Sequence, residues 1–328
     1  MKKNLLLIGV VSVSSVFISW GIFGHEHINK AAVMALPQPL QTFFYNHVDF
    51  VTQESTVPDL RKYTLADKSE NPRHFIDLEN FGSLDSLPKT LKETKEKYDE
   101  KFLSQNGFLP WYMEELMEKL TKSFKEKRKT EILFIAADLG HYMGDAHMPL
   151  HTSENHDGQK TNQKGIHALW EAQLPEMFGS NYNFYTEEAK FIPDVHKEIW
   201  RIVLSSHALL DTLLAADKEI RKTIPEDKWL KKDANGKVMK NKFNSSVFSD
   251  EYATALNTAL KGMVERQMKL SSLDVSNFWF TAWVNAGKPD LSNMDAPEVT
   301  KRNSKQLEDD LKLWKKGKLF GIECEKEF

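Results

Sequence analysis

His141, Asp145, His151, His167 and Glu171 have the types and spacings of metal ligands, and Asp59, His74 and His25 precede them in the chain. Imidazole nitrogen and carboxylate oxygen without thiolate suit a catalytic zinc site, because structural zinc usually draws on cysteine. The set is larger than one ion needs, which is the requirement of a polynuclear centre. Zinc lowers the pKa of bound water and stabilises charge on phosphoryl oxygens, so such a centre supports hydrolysis of a phosphate ester.

These side chains need elements to aim them. The apolar run Glu131 to Leu139 is rich in good helix formers. If that helix continues, His141 and Asp145, four apart, project from one face. Pro149 cannot continue the ladder, so the chain should turn there and bring His151 back toward the same region. His167 and Glu171 repeat the spacing at the start of the stretch Ala168 to Leu174. Either pair alone is an ordinary helix-surface pattern. The weight lies in their sum, since five of the 11 histidines and three carboxylates can be assigned together.

The rest of the chain alternates helical patterns with short polar loops, which predicts an all-α, mostly helical single domain. Helices are expected at about 26–36, 38–50, 110–125, 129–145, 167–177, 192–222, 249–270 and 273–286. The apolar residues from Val195 to Leu214 read as core. Segment 226–248 interrupts the pattern as a loop insertion, with Asn235-Gly236 as a turn signal, and is expected as a short hairpin or a mobile loop. Residues 289–328 form a charged extension with a helix at about 304–315.

Residues 1–19 read as a secretory signal: Lys2 and Lys3, then an apolar run from Leu5 to Val11 that weakens toward Ile18. The run is short for a membrane span, so export to the periplasm or beyond is expected, with an uncleaved anchor as the alternative. The single cysteine, Cys324, excludes an internal disulfide framework, which leaves stability to the core and the metals. The formal net charge is −3 and becomes more negative once Lys2 and Lys3 are removed. Broad phosphate binding of the packaging kind is therefore excluded, and contact with a phosphodiester should be local. No stable protein partner is implied.

The motifs Trp20-Gly-Ile-Phe-Gly-His25, Asp59, His74-Phe-Ile-Asp77, His141 to His151 and His167-Ala-Leu-Trp-Glu171 resemble the single-strand-specific zinc nucleases of the S1/P1 family. That family shares a superfamily with the bacterial zinc-dependent phospholipases C. The resemblance implies a mostly helical domain holding three Zn²⁺ ions. Asp59, His74 and His141 would hold one ion, and His151, His167 and Glu171 a second. Trp20, through its backbone amine and carbonyl after cleavage behind Ser19, would hold the third with His25. Asp145 would bridge the first and third. It also implies a secreted phosphodiesterase acting on single-stranded nucleic acid or nucleotide phosphoesters through a metal-activated hydroxide, with Asp59 and Asp145 catalytic.

In the nucleases, the residues matching Phe75 and Asp77 stack on a base and hydrogen-bond to it. A stacking platform selects unpaired bases, because pairing hides the face of the base. Arg61, Lys62 and Arg73 are equal candidates for offsetting charge on the phosphate. Two positions depart from the nuclease pattern. Glu171 stands where the nucleases have Asp and the phospholipases Glu, and Gly165 stands where the nucleases usually have Asn. A phospholipase C acting on phospholipid head groups, or a non-enzymatic helical protein stabilised by zinc, are the alternatives. His27, His47, His147, His156, His196 and His207 are expected to be ordinary core or surface histidines.

Overall fold

In the computed structural model, which describes residues 21–241, 244–294 and 301–318, the chain is helical almost throughout. The proposed leader and Trp20 lie outside the described residues. The first helices are α1 (Ile22–Ala35), α2 (Leu40–Tyr45), α3 (Val48–Gln53), α4 (Val57–Tyr63), α5 (Leu91–Lys97) and α6 (Glu100–Asn106). A long pair follows, α7 (Leu109–Lys125) and α8 (Lys129–Ala146). Then come α9 (Ile166–Ala168), a π-helical turn (Leu169–Gln173) and α10 (Leu174–Phe178). The series ends with α11 (Val195–His207), α12 (Leu210–Thr223), α13 (Asp250–Ala259), α14 (Met263–Asn285) and α15 (Lys301–Trp314). The fold is all-α, and among the described residues only isolated β-bridges occur.

The core is a bundle of α1, α7, α8 and α14. On α7, Met113, Leu116, Met117, Leu120 and Phe124 form a buried stripe at helical spacing, and Pro110 sits in the first turn, where a missing N–H leaves no gap. Helix α8 begins as a one-sided amphipathic helix but is buried on every side from Leu139 to Ala146. Packed against it there is α1, buried from Gly24 to Ala35. A Cβ on Gly140 would lie 1.9 Å from Asn29 Oδ1, and one on Gly144 would lie 3.1 Å from His25 Nδ1. The two glycines thus let α1 press against the last turns of α8, where the His25 ring stacks on His141 at 3.9 Å. From α14, Trp279 stacks on Phe44 at 4.6 Å and donates its indole N–H to the Ala136 carbonyl, so this large core side chain keeps its polar atom satisfied.

Several boundaries differ from expectation. The helices expected at 38–50 and 192–222 each divide, at Asn46–His47 and at Ala208–Leu209. Apolar periodicity carries across such short turns, so the pattern does not reveal them. The last long helix starts at Met263, because Lys261 and Gly262 take left-handed φ values of 49° and 75°. Helices α4, α5 and α6 are additions to the expected set. They are seven residues each, too short for periodicity to register. The apolar residues Ile199, Ile202, Val203 and Leu213 are core, as expected.

Segment 226–248 takes the hairpin alternative. Bridges Leu230 to Phe248, Lys232 to Val238 and Lys240 to Ser246 make a small antiparallel ladder, with Asn235-Gly236 at the turn between Lys232 and Val238. The charged extension docks through α15: Tyr45 donates to Asp310 Oδ2 at 2.8 Å, Lys30 Nζ lies 3.6 Å from the same oxygen, and Trp314 is buried.

Candidate metal centre

Tautomers set by backbone carbonyls orient the histidines. His141 Nδ1 donates to the Ser55 carbonyl at 2.8 Å, His151 Nδ1 to the His74 carbonyl at 2.7 Å, and His167 Nδ1 to the His156 carbonyl at 2.7 Å. Since a carbonyl only accepts, each Nδ1 carries hydrogen and each neutral ring turns an Nε2 lone pair inward. Two of those, His151 Nε2 and His167 Nε2, stand 3.3 Å apart beside Glu171, whose carboxylate oxygens lie 3.5 Å from the first and 2.5 Å from the second. Facing lone pairs beside a carboxylate repel one another unless a cation or proton lies among them. The local structure serves this arrangement, because His167 and Glu171 are linked through the π-helical turn, a rare element found mostly at functional sites.

A second group lies deeper. His74 Nδ1 is 3.0 Å from Asp145 Oδ2 and 3.1 Å from His141 Nε2, while Asp59 Oδ1 is 3.7 Å from His74 Nδ1 and 4.0 Å from His141 Nε2. Both Asp59 oxygens are buried with no hydrogen-bond partner among the described residues, which is costly for a carboxylate unless a cation is close. Burial raises the pKa of Asp59 well above the carboxylate range in the protein alone. Asp145 sits between the groups. Its Oδ1 is 3.9 Å from His25 Nε2 and 3.6 Å from His151, and its Oδ2 is 3.3 Å from His141 Nε2. Although burial works the other way, His141 and His151 hold Asp145 well below its usual range.

Three sets of converging ligand atoms result: His25, His141 and Asp145; Asp59, His74 and His141; and His151, His167 and Glu171. The donor chemistry and the orphaned Asp59 oxygens fit divalent cations. His141 takes part in two sets and Asp145 touches members of all three, so the junction expected at Asp145 is shared with His141.

Sequence reasoning missed Glu70. This buried carboxylate faces His74 Nε2 at 3.5 Å and accepts from Arg61 Nε at 3.0 Å, Arg73 Nη1 at 2.8 Å and the Tyr142 hydroxyl. Burial raises its pKa, but the facing His74 ring, the hydrogen bond from Tyr142 and the charge of Arg61 outweigh that and bring it to about 2. Arg61 also pairs with Asp138 at 2.8 Å, and Arg73 lies over the Tyr112 ring. Both arginines are thus committed behind His74. Of the three cations considered as phosphate partners, only Lys62 lines the cavity. The signal was present: Glu70 and His74 are four apart, and Glu70 and Arg73 three apart.

The metal-ligand candidates His74, His151 and His167 open onto a cavity of about 940 Å³. Phe75 and Asp77 line it because the chain runs extended beyond the His74 bend, with Ile76 N bonded to the His151 carbonyl and Asp77 N to the Asn106 carbonyl. Alternation then sends Phe75 and Asp77 to one side and Ile76, fully buried, to the other. Asp77 Oδ1 is buried with no hydrogen-bond partner among the described residues. Burial, with Glu79 and Glu154 nearby, pushes Asp77 up to about 7.

Among the other histidines, His147 pairs with Asp274, His196 with Glu114, and His27 bonds to the Phe23 carbonyl. His156 and His207 are also hydrogen-bonded, to Gln159 and Thr152, and both lie near the centre. The first lines the cavity and its carbonyl orients His167, and the second contacts Thr152 beside His151.

The family model for S1/P1 Nuclease matches residues 20–273. Nuclease S1 of Aspergillus oryzae (strain ATCC 42149 / RIB 40) is 23% identical over 188 residues, which are 53% of this chain and 60% of that protein. The chain thus matches less than two thirds of that relative's length. A solved structure of Clostridium perfringens alpha-toxin isolated from avian strain SWCP aligns with a TM-score of 0.48 and 14% identity, covering 84% of this chain and 67% of the toxin chain. With the matched span enclosing every candidate ligand and both cavity residues Phe75 and Asp77, the chain belongs to the S1/P1 nuclease family.

Proposed function

We propose that the protein is an exported zinc-dependent phosphodiesterase that hydrolyses single-stranded nucleic acid or nucleotide phosphoesters. The observation that carries this reading is the convergence of His151, His167 and Glu171 ligand atoms beside a cavity that His151 and His167 line together with Phe75 and Asp77. Nitrogen and oxygen donors without sulfur suit zinc, held by His25 with Asp145, by Asp59, His74 and His141, and by His151, His167 and Glu171. With Trp20, freed by cleavage behind Ser19, completing the His25 site, the complement is three ions. Bound there, zinc supplies Lewis acidity toward the phosphoryl oxygens and acidifies water.

The chain's own groups do the remaining work. Asp59, with both oxygens otherwise unsatisfied, orients the attacking water and accepts its hydrogen bond. Asp145 offers one oxygen to each side of the centre, its carboxylate held ionised. Lys62 offsets charge at the phosphate. Phe75 stacks on an unpaired base while Asp77 Oδ1 bonds its polar edge.

Assays of single-stranded DNA, RNA and 3′-nucleotides beside phosphatidylcholine test the reading, with turnover of the nucleic-acid substrates expected. Turnover of the lipid alone would sink it. Elemental analysis should find three zinc ions per chain, and a single ion without phosphodiesterase activity would favour a structural role. N-terminal sequencing of the exported protein should begin at Trp20.

A further inference from the structure

Part of the cavity lining comes from elements that the metal centre does not need. Lys164 and Gly165 lie in the loop before α9, and Lys240, Ser246 and Phe248 belong to the ladder segment. They are contiguous, because a Cβ built on Gly165, at a φ of +96°, would meet the edge of Phe248 at 3.1 Å. Phe248 thus occupies the space over the position where the resembled nucleases usually carry Asn.

The two strips of chain that bear the lysines are fixed by one network. Gln173, two residues beyond Glu171, bonds both the N–H and the carbonyl of Phe248, at 3.0 and 2.8 Å. Gln163, next to Lys164, donates to buried Asp217 at 2.8 Å, and Asp217 also accepts from Arg221 at 2.7 Å. The Arg221 guanidinium in turn lies over the rings of Trp229 and Phe248. The ladder is therefore tied to the π-helical turn that carries Glu171.

The cavity is lined by Lys62, Lys164 and Lys240 against Asp77 and Asp157, an excess of positive charge although the chain as a whole is negative. Lys164 makes no hydrogen bond or ion pair among the described residues. Lys240 Nζ donates to Ser246 Oγ at 2.7 Å, a neutral partner that leaves its charge uncompensated. The acid nearest in sequence to Lys164, Asp157, spends Oδ1 on the N–H groups of Gly165 and His167. The cavity, at about 940 Å³, is near the upper end of the range of roughly 300–1,000 Å³ for small-ligand sites, room enough for more than one nucleotide.

We propose that Lys164 and Lys240 form a phosphate subsite for the strand flanking the scissile bond, so that the enzyme prefers oligonucleotides to mononucleotides. This rests on the phosphodiesterase reading above. Ser246 holds the Lys240 ammonium in place, and buried Phe248 covers Gly165 next to Lys164.

The test compares the exported, zinc-loaded parent with the Lys164→Gln/Lys240→Gln double variant on a short single-stranded oligodeoxynucleotide and on a 3′-mononucleotide, across a series of salt concentrations. The ratio of kcat/KM for oligonucleotide over mononucleotide should fall about tenfold, mainly through KM. The salt dependence for the oligonucleotide should become shallower by about 0.7 in log–log slope for each phosphate that a lysine no longer neutralises. An unchanged ratio with an unchanged slope, in a parent that hydrolyses both substrates, would overturn the subsite and leave the phosphodiesterase reading intact. A parent inactive on both would overturn the two together. Equal melting temperatures of parent and variant would exclude misfolding as the source of any loss.

Discussion

Asp59, His74 and His141 come from α4, from the turn before the extended segment and from α8, and each is at most 1% exposed; His151, His167 and Glu171 come from the single stretch 151–171, and the His167 side chain is 23% exposed. In the deep group every ligand candidate is also part of the packing between distant elements. A cation held there by Asp59, His74 and His141 would join α4 to α8, so its binding would be coupled to the fold. The rim group is assembled by one turn, one loop and one π-helical step, which makes it a local device facing the cavity. Stability should therefore follow the deep group, and substrate chemistry the rim.

Asp145 touches both groups, so its loss should erase the distinction. Asp145→Asn is expected to lower kcat/KM by about 10³-fold or more, since it removes charge where the transition state needs preorganised electrostatics. Metal content should fall in the same preparation, and full activity with full metal content would refute its junction role.

Glu70→Gln probes the deep group from behind His74. The variant should bind zinc about 10–100-fold more weakly, as measured by competition with a chelator, because the carboxylate no longer fixes the ring. It also leaves Arg61 and Arg73 without their shared buried partner, so the melting temperature should drop in the metal-free protein as well. Unchanged affinity and unchanged melting would place Glu70 outside the centre.

Glu171→Asp tests the rim in isolation. One methylene is lost where the family's nucleases carry Asp, so activity should change by less than about tenfold while melting stays near that of the parent. A large drop in melting temperature would show that the rim is as fold-coupled as the deep group.

The smallest effect is expected at Asp77. Its folded-state value of about 7 is above the ordinary carboxylate value of about 3.9, so the folded protein retains a proton that the unfolded chain releases. The associated stability is full below about pH 4 and is lost as pH rises through about 7. Asp77→Asn should accordingly melt higher than the parent at about pH 8, with the gap closing toward about pH 4. A gap that grows as pH falls would contradict burial as the cause.

The two helical pairs were legible in the chain because spacing by four is a local property of a helix, and Pro149 after the first pair supplied the turn that returns His151. Glu70 was legible only in part, through its spacing to Arg73 and His74. Its role depends on Arg61, Arg73 and Tyr142 arriving from α4, the short turn before His74, and α8. For the same reason the sequence left three cations open, and only packing retired two of them to the Glu70 network.

Ligand types and the all-α class follow from the sequence alone, since donor chemistry and helical periodicity are written residue by residue, while the grouping of ligands into sets came from the family resemblance. Tertiary structure alone decided that His141 belongs to two sets, that Gly140 and Gly144 admit α1 and with it His25, and that the ladder at 230–248 closes over Gly165. Each of these depends on contacts between segments far apart in the chain, which no local pattern encodes.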